Sequence, residues 1–259
     1  MIPFYEQQRT AWINHQQQLD FPLHMHDAIE IVCLLEGSST VICESGQIAL
    51  GPGDIFLSFP NQIHGYEKTR DFDGYLLVAS TATLTGCKAM LEQNQPAHPV
   101  VHPTGEAATH ILALLQMMHK DRNNAPPPQL QGYALVLLNK VATMTGLMPR
   151  PANTGTLQAI LRYINTHYHE PITRKEIARA VGYSESHISH LFARQMQVSL
   201  TDYITALRMD EARQLLRETT LPVSRIAMQL GFSSIRSFNR FFVKEMNMTP
   251  SAYRNQSKL

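Results

Sequence analysis

The sequence predicts an α+β chain: a β-barrel or sandwich at the N-terminus, then helices, then an all-α C-terminal domain. Three observations carry this prediction. Residues 1–80 alternate short runs of Ile, Val, Leu and Phe with Gly, Ser and Pro. From Glu106 onward, apolar residues recur at helical spacing. A segment of about 50 residues occurs twice in the last third of the chain.

The strand region is typified by "AIEIVCLLEGSSTVICESGQIALGPGDIFLSFP", and a barrel is expected over about 1–100. Two helices are expected over about 106–146. Glu106–Lys120 carries Ile111, Leu112, Leu114, Leu115 and Met118, and Leu130–Thr145 carries Tyr133, Leu137, Leu138, Val141 and Met144. Between them "NNAPPPQ" interrupts the pattern, because proline cannot continue a helix. Both helices hold more apolar residues than one core-facing stripe needs, so part of that surface, Leu115 and Leu138 included, is expected to bury against a second chain in a homodimer. The stretch "LMPRPANTGT" (147–156) reads as a linker, which sets domains at 1–150 and 157–255.

No apolar run approaches the ~20 residues of a membrane helix, and "MIPFYEQQRT" lacks the pattern of a signal peptide; no membrane partner and a cytoplasmic address are expected. The three cysteines, Cys33, Cys43 and Cys87, read as free thiols. A net charge of +1 conceals an asymmetry. Residues 1–153 hold 8 Lys+Arg against 13 Asp+Glu, whereas 154–259 hold 14 against 8. The basic part is suited to a polyanion.

The repeat lies in that basic part. Ile177-Ala178, Val181-Gly182 and Tyr183-Ser184 return 49 residues later as Ile226-Ala227, Leu230-Gly231 and Phe232-Ser233. Ile188, Leu191 and Phe192 return 50 later as Phe238, Phe241 and Phe242. Each copy reads as helix, glycine turn and second helix, at about 174–195 and 222–245. Thr173 and Glu176 have capping-box spacing, Pro222 suits a first helical turn, and Ser184 and either Ser233 or Ser234 can cap the second helices. In copy two, Phe238, Phe241 and Phe242 share one face, and Arg236 and Arg240, flanked by Asn239 and Ser237, fall opposite. In copy one, Ile188, Leu191 and Phe192 face inward, and Ser186 and His190, flanked by Ser189 and Arg194, face out. Arg bonds bidentately to guanine and Asn to adenine, while Ser and His reach base edges or phosphate, so these eight residues are the candidate contacts to double-stranded DNA. A helical bundle with a solvated basic face is the plain alternative, which two in-register copies disfavour. Between the copies, 199–219 reads as one amphipathic helix of ~30 Å, close to the ~34 Å between successive major-groove faces.

Residues 157–255 resemble the DNA-binding domain of AraC/XylS transcription regulators. The carrying residues are "IARAVGYSESHISHLF", "RMDEARQLLRETTLPVSRIAMQLGFSSIRSFNRFF" and "MTPSAYR". Gln197 and Asn247 depart from that pattern, which usually has glycine just after the recognition helix. The resemblance implies a cytoplasmic, ligand-responsive regulator, usually an activator working with RNA polymerase, with no catalytic residues and no cofactor.

"HMHDAIEIVCLLEG" supplies His24, His26, Glu30 and Gly37, a match to the cupin pattern H-x-H-x3-E-x6-G. "GPGDIFLSFPNQIH" resembles the second cupin motif, ending one residue short at His64. Residues 24, 26, 28 and 30 would share one strand face, so three imidazoles and a carboxylate converge in the barrel, with Tyr66 near the rim. Such a set can hold a divalent metal. In AraC-type sensor domains, which resemble cupins, it more often contacts a small polar effector such as a sugar, and that is the expectation here. The rival class is a metal-cupin enzyme, which leaves the duplicated basic domain unexplained. A regulator controlled by a partner protein is a third reading.

Overall fold

The computed structural model describes residues 11–67, 71–151 and 155–256. The first ten residues of the strand region and part of the expected linker lie outside them. The chain divides into two compact units between residues 153 and 154.

The first unit opens with eight strands: β1 (Ala11–Gln16), β2 (Phe21–His24), β3 (Ala28–Glu36), β4 (Ser39–Cys43), β5 (Gly46–Leu50), β6 (Ile55–Ser58), β7 (His64–Tyr66) and β8 (Asp73–Ser80). A short helix α1 (Lys88–Gln93) and strands β9 (Asn94–Pro96) and β10 (Val100–Val101) follow, then helices α2 (Gly105–Asp121) and α3 (Pro127–Thr145) and strand β11 (Leu147–Pro149). The expected barrel takes the form of a five-stranded sheet, β1-β8-β3-β6-β10, and a four-stranded sheet, β2-β7-β4-β5; no hydrogen-bonded ladder joins the two among the described residues. Register assigns the faces of β3. Ile31 lies opposite Leu77 on β8 and Leu57 on β6, whereas Glu30 lies opposite Val78 and Ser58.

The Ile31 face belongs to a continuous apolar core with Ile13, Ile29, Cys33, Ile55, Leu77 and Ala79, covered by Ile111, Leu115 and Met118 of α2 and Leu137, Leu138 and Val141 of α3. The near-unbroken apolar run of β3 follows from this, since the strand is buried on both faces. Leu115 and Leu138 are therefore fully buried against the chain's own sheet and are not available to a second chain. The exposed apolar residues of these helices are Met117, Val136 and Met144. The proline run begins α3, with Pro126 at the N-cap and Pro127 in the first turn, where a missing N–H costs nothing.

The expected linker is shorter than its composition suggests. Leu147–Pro149 pairs antiparallel with β9, the Arg150 backbone N–H donates to Gln93, and the Arg150 guanidinium donates to the Pro60 carbonyl at 2.7 Å.

The second unit is all helical: α4 (Thr156–His167), α5 (Arg174–Val181), α6 (Glu185–Met196), α7 (Leu200–Glu218), α8 (Val223–Gln229), α9 (Ile235–Met246) and α10 (Pro250–Gln256). Both halves of the capping box at Thr173 and Glu176 form, and Pro222 occupies the N-cap of α8, one position before its first turn. Ser184 caps α6 and Ser234 caps α9. The caps are thus 50 residues apart, so the extra residue of copy two lies between its glycine and its cap. Gln197 and Asn247 take the left-handed conformation that ends α6 and α9, at φ 57° and 53°. Helix α7 is the centre of this unit: Met209, Ala212 and Leu216 pack with Ile226, Leu230, Phe238 and Phe242.

Candidate functional sites: a buried histidine cluster and two exposed recognition helices

In the first unit, His24, His26, Glu30 and His64 come together. One ligand atom from each lies within 4.8 Å of all the others, and all four side chains are buried. The single-strand parity that grouped the first three is not what unites them. His24 ends β2, His26 sits in the connection, Glu30 is on β3, and His64 pairs with His24 across β2 and β7. Strands β2 and β7 approach closely because residue 65 is glycine: a Cβ there would stand 2.8 Å from the Leu23 backbone nitrogen. The loop before β7 is tied to the first motif by the Asn61 N–H, which donates to the His26 carbonyl at 2.8 Å.

Backbone carbonyls fix two of the rings. Nδ1 of His24 is 3.0 Å from the Pro22 oxygen and Nδ1 of His64 is 3.0 Å from the Gln62 oxygen. A carbonyl only accepts, so both Nδ1 atoms carry hydrogen and Nε2 is left for the interior. Nε2 of His64 stands 3.5 Å from one Glu30 oxygen, and Nε2 of His26 stands 3.2 Å from the other. Tyr66, expected at the rim, is instead 4% exposed and donates its hydroxyl to Glu30 at 2.5 Å. Burial pushes His24 well below the usual imidazole range, and the neighbouring His64 and His26 add to this. His26 is lowered too, again by burial first. Burial alone would raise Glu30, but the neighbouring His64 and His26 outweigh it and hold the carboxyl well below its ordinary value. Burial, then the Glu30 charge, pushes the Tyr66 phenol up. The cluster thus presents imidazoles, with the charged forms of His24 and His26 disfavoured, to a fixed carboxylate, which suits a cation or the donor groups of a polar ligand.

Sequence reasoning missed Ser58, which is buried, lies opposite Glu30 in the ladder and has its Oγ 3.2 Å from His64 Nδ1. The signal was a lone serine inside the apolar "DIFLSF".

In the second unit, Arg236, Asn239 and Arg240 on α9 are exposed, while Phe238 and Phe242 are buried and Phe241 is half-buried. Ser237 is half-buried, its N–H donating to the Ser234 cap. On α6, Ser186, His190 and Arg194 are exposed. Ser189 is half-buried with its hydroxyl oxygen turned into the domain. Two exposed residues escaped the sequence reading: Tyr183, stacked at 4.8 Å on His187 of α6, and Ile235 in the first turn of α9. An aromatic in a turn and an isoleucine among polar residues carry no facing information without the turn geometry.

Comparison with known proteins supplies the rest. The AraC-like ligand binding domain family matches residues 9–135, and a helix-turn-helix domain family matches 177–256. The chain belongs to the AraC family. An HTH-type transcriptional regulator of Staphylococcus aureus (strain MRSA252) is 35% identical over 257 residues, which is 93% of this chain and 33% of that protein. The AraC-type chain thus spans about a third of the length of such Staphylococcus relatives. The HTH-type transcriptional regulator YpdC of Escherichia coli (strain K12) is 24% identical over 61% of this chain and 56% of its own. Among solved structures, apo ToxT from Vibrio cholerae strain SCE256 superposes with a TM-score of 0.56 at 11% identity, over 96% of this chain and 98% of that one; at this identity the likeness is one of fold. Among the described residues, no helix is long and apolar enough to cross a membrane.

Proposed function

We propose that this AraC-type chain is a sequence-specific, DNA-binding transcription regulator whose first unit senses a small polar effector. The observation that carries this reading is the duplicated helix-turn-helix, each copy with a capped second helix presenting polar and basic side chains outward. Arg236, Asn239 and Arg240 from α9, with Ser186, His190 and Arg194 from α6, contact the duplex; Ser189 and Ser237 support the two helix faces. Helix α7, with 19 residues, is about 28 Å long and lets one chain serve two successive grooves. By family, the regulator is an activator that works with RNA polymerase and acts as a homodimer. The effector contacts His24, His26, Glu30, His64 and Tyr66. A sugar is the class the family suggests, although the tight spacing of this cluster favours something smaller. Its relatives carry regulator names, and the enzyme reading still leaves the basic repeat without a role.

Binding-site selection from a random duplex library tests this. The full chain should enrich one asymmetric site. Arg236→Ala or Arg240→Ala should weaken binding to it by about 1–3 kcal/mol and relax preference at one or two positions. Failure of the wild-type chain to enrich any sequence removes the proposal.

A further inference from the structure

We infer that the cluster of His24, His26, Glu30 and His64 is a binding site for a divalent transition-metal ion. This rests on reading the cluster as the sensor site, and it replaces the sugar with an ion as what that site holds. Three observations carry it.

The first is the direction of the rings. The carbonyls of Pro22 and Gln62 hold the Nδ1 hydrogens of His24 and His64. Nε2 of His64 then brings a lone pair to 3.5 Å from a Glu30 oxygen, another acceptor. Two acceptors face each other stably only with a cation between them. A single proton serves one such pair, whereas a metal ion serves the whole set at once. Anchoring of the far ring nitrogen by a backbone carbonyl is also how metal-bound imidazoles are oriented.

The second is size. Two ligands on one such ion stand at most about 4.2 Å apart, so the largest separation here, 4.8 Å, has to close by only about 0.6 Å. Organic ligands occupy cavities of about 300–1,000 Å³, whereas four ligand atoms within 4.8 Å of one another leave room between them for an ion.

The third is the donor set. Three imidazoles with one carboxylate suit zinc, iron, cobalt, nickel or manganese, whereas magnesium and calcium take oxygen ligands. Tyr66, bonded to one Glu30 oxygen, is the positioning residue that turns the carboxylate toward the rings.

The test is titration of the full chain, stripped with chelator, with cobalt(II), read by the visible absorption of cobalt bound to protein nitrogen. The wild type should develop this band, saturate at about one equivalent per chain, and lose the band to added zinc. His64→Ala should lose it, while His119→Ala, outside the cluster, should keep it. Should His64→Ala fail to fold by circular dichroism, the wild-type titration decides alone, together with a rise in Tm on adding one equivalent of cobalt. A wild type without the band, or a folded His64→Ala that binds like wild type, overturns the inference. DNA affinity, measured with and without cobalt, separates the two readings. A chain without the band whose DNA binding answers to a small organic compound retains the sensor and refutes the metal. A chain with the band whose DNA binding is indifferent to cobalt retains the metal and refutes the sensor.

Discussion

Gly182 and Gly231 occupy the same place in the two repeats and are constrained differently. Both are left-handed, at φ 76° and 71°. A Cβ on Gly182 would meet nothing within 4 Å, whereas one on Gly231 would stand 2.6 Å from the His169 oxygen and 2.9 Å from the Arg208 guanidinium. That guanidinium is itself pinned, donating to the carbonyls of Tyr168 and Glu170 at 2.7 Å each. Gly182→Ala should therefore cost only the backbone term, about 1–2 kcal/mol. Gly231→Ala should cost a further ~1–3 kcal/mol from overpacking. Urea denaturation followed by the helical signal distinguishes them, and equal losses would contradict the packing. The sequence marked both glycines as turns but could not separate them, because the clash at Gly231 comes from residues 23 and 62 positions away. The histidine cluster has the same logic. The motif grouped side chains that do lie together, while Ser58 and the buried place of Tyr66 depended on which strands lie side by side.

Elements were legible where a period was long and uniform. Helices α2, α3 and α7 and the four helices of the repeat follow apolar spacing, and the strand region follows turn residues. What the pattern left undetermined was which apolar surface covers which. The surplus on α2 and α3 suggested a second chain, yet the apolar face of the sheet absorbs it, because β3, β6 and β8 are buried on both sides. A three-residue strand such as β11 has no period at all, and it exists through its pairing with β9. Leu115→Glu or Leu138→Glu should accordingly unfold the first unit, at a cost above about 4 kcal/mol, since each buries an unpaired charge. Met117→Glu or Val136→Glu, at exposed positions, should change folding stability by less than ~0.5 kcal/mol. If the homodimer uses that exposed face, light scattering on these two variants will show monomers. A Leu115→Glu chain that melts like wild type would contradict the packing of α2 on the sheet.

For the whole molecule, the decisive feature is division of labour by charge. The acidic unit carries the buried cluster, and the basic one carries two outward-facing recognition helices. An effector that binds one conformation of the first unit better than another shifts the balance between them, and one that binds both equally shifts nothing. The central claim, that the basic unit exists to hold DNA, is tested most directly by footprinting the full chain on its selected site across a salt series. The account predicts protection of about two helical turns, with affinity falling about a thousandfold or more between ~50 and ~200 mM salt, as several phosphate contacts require. A footprint indifferent to salt, or no footprint at low salt, would contradict it.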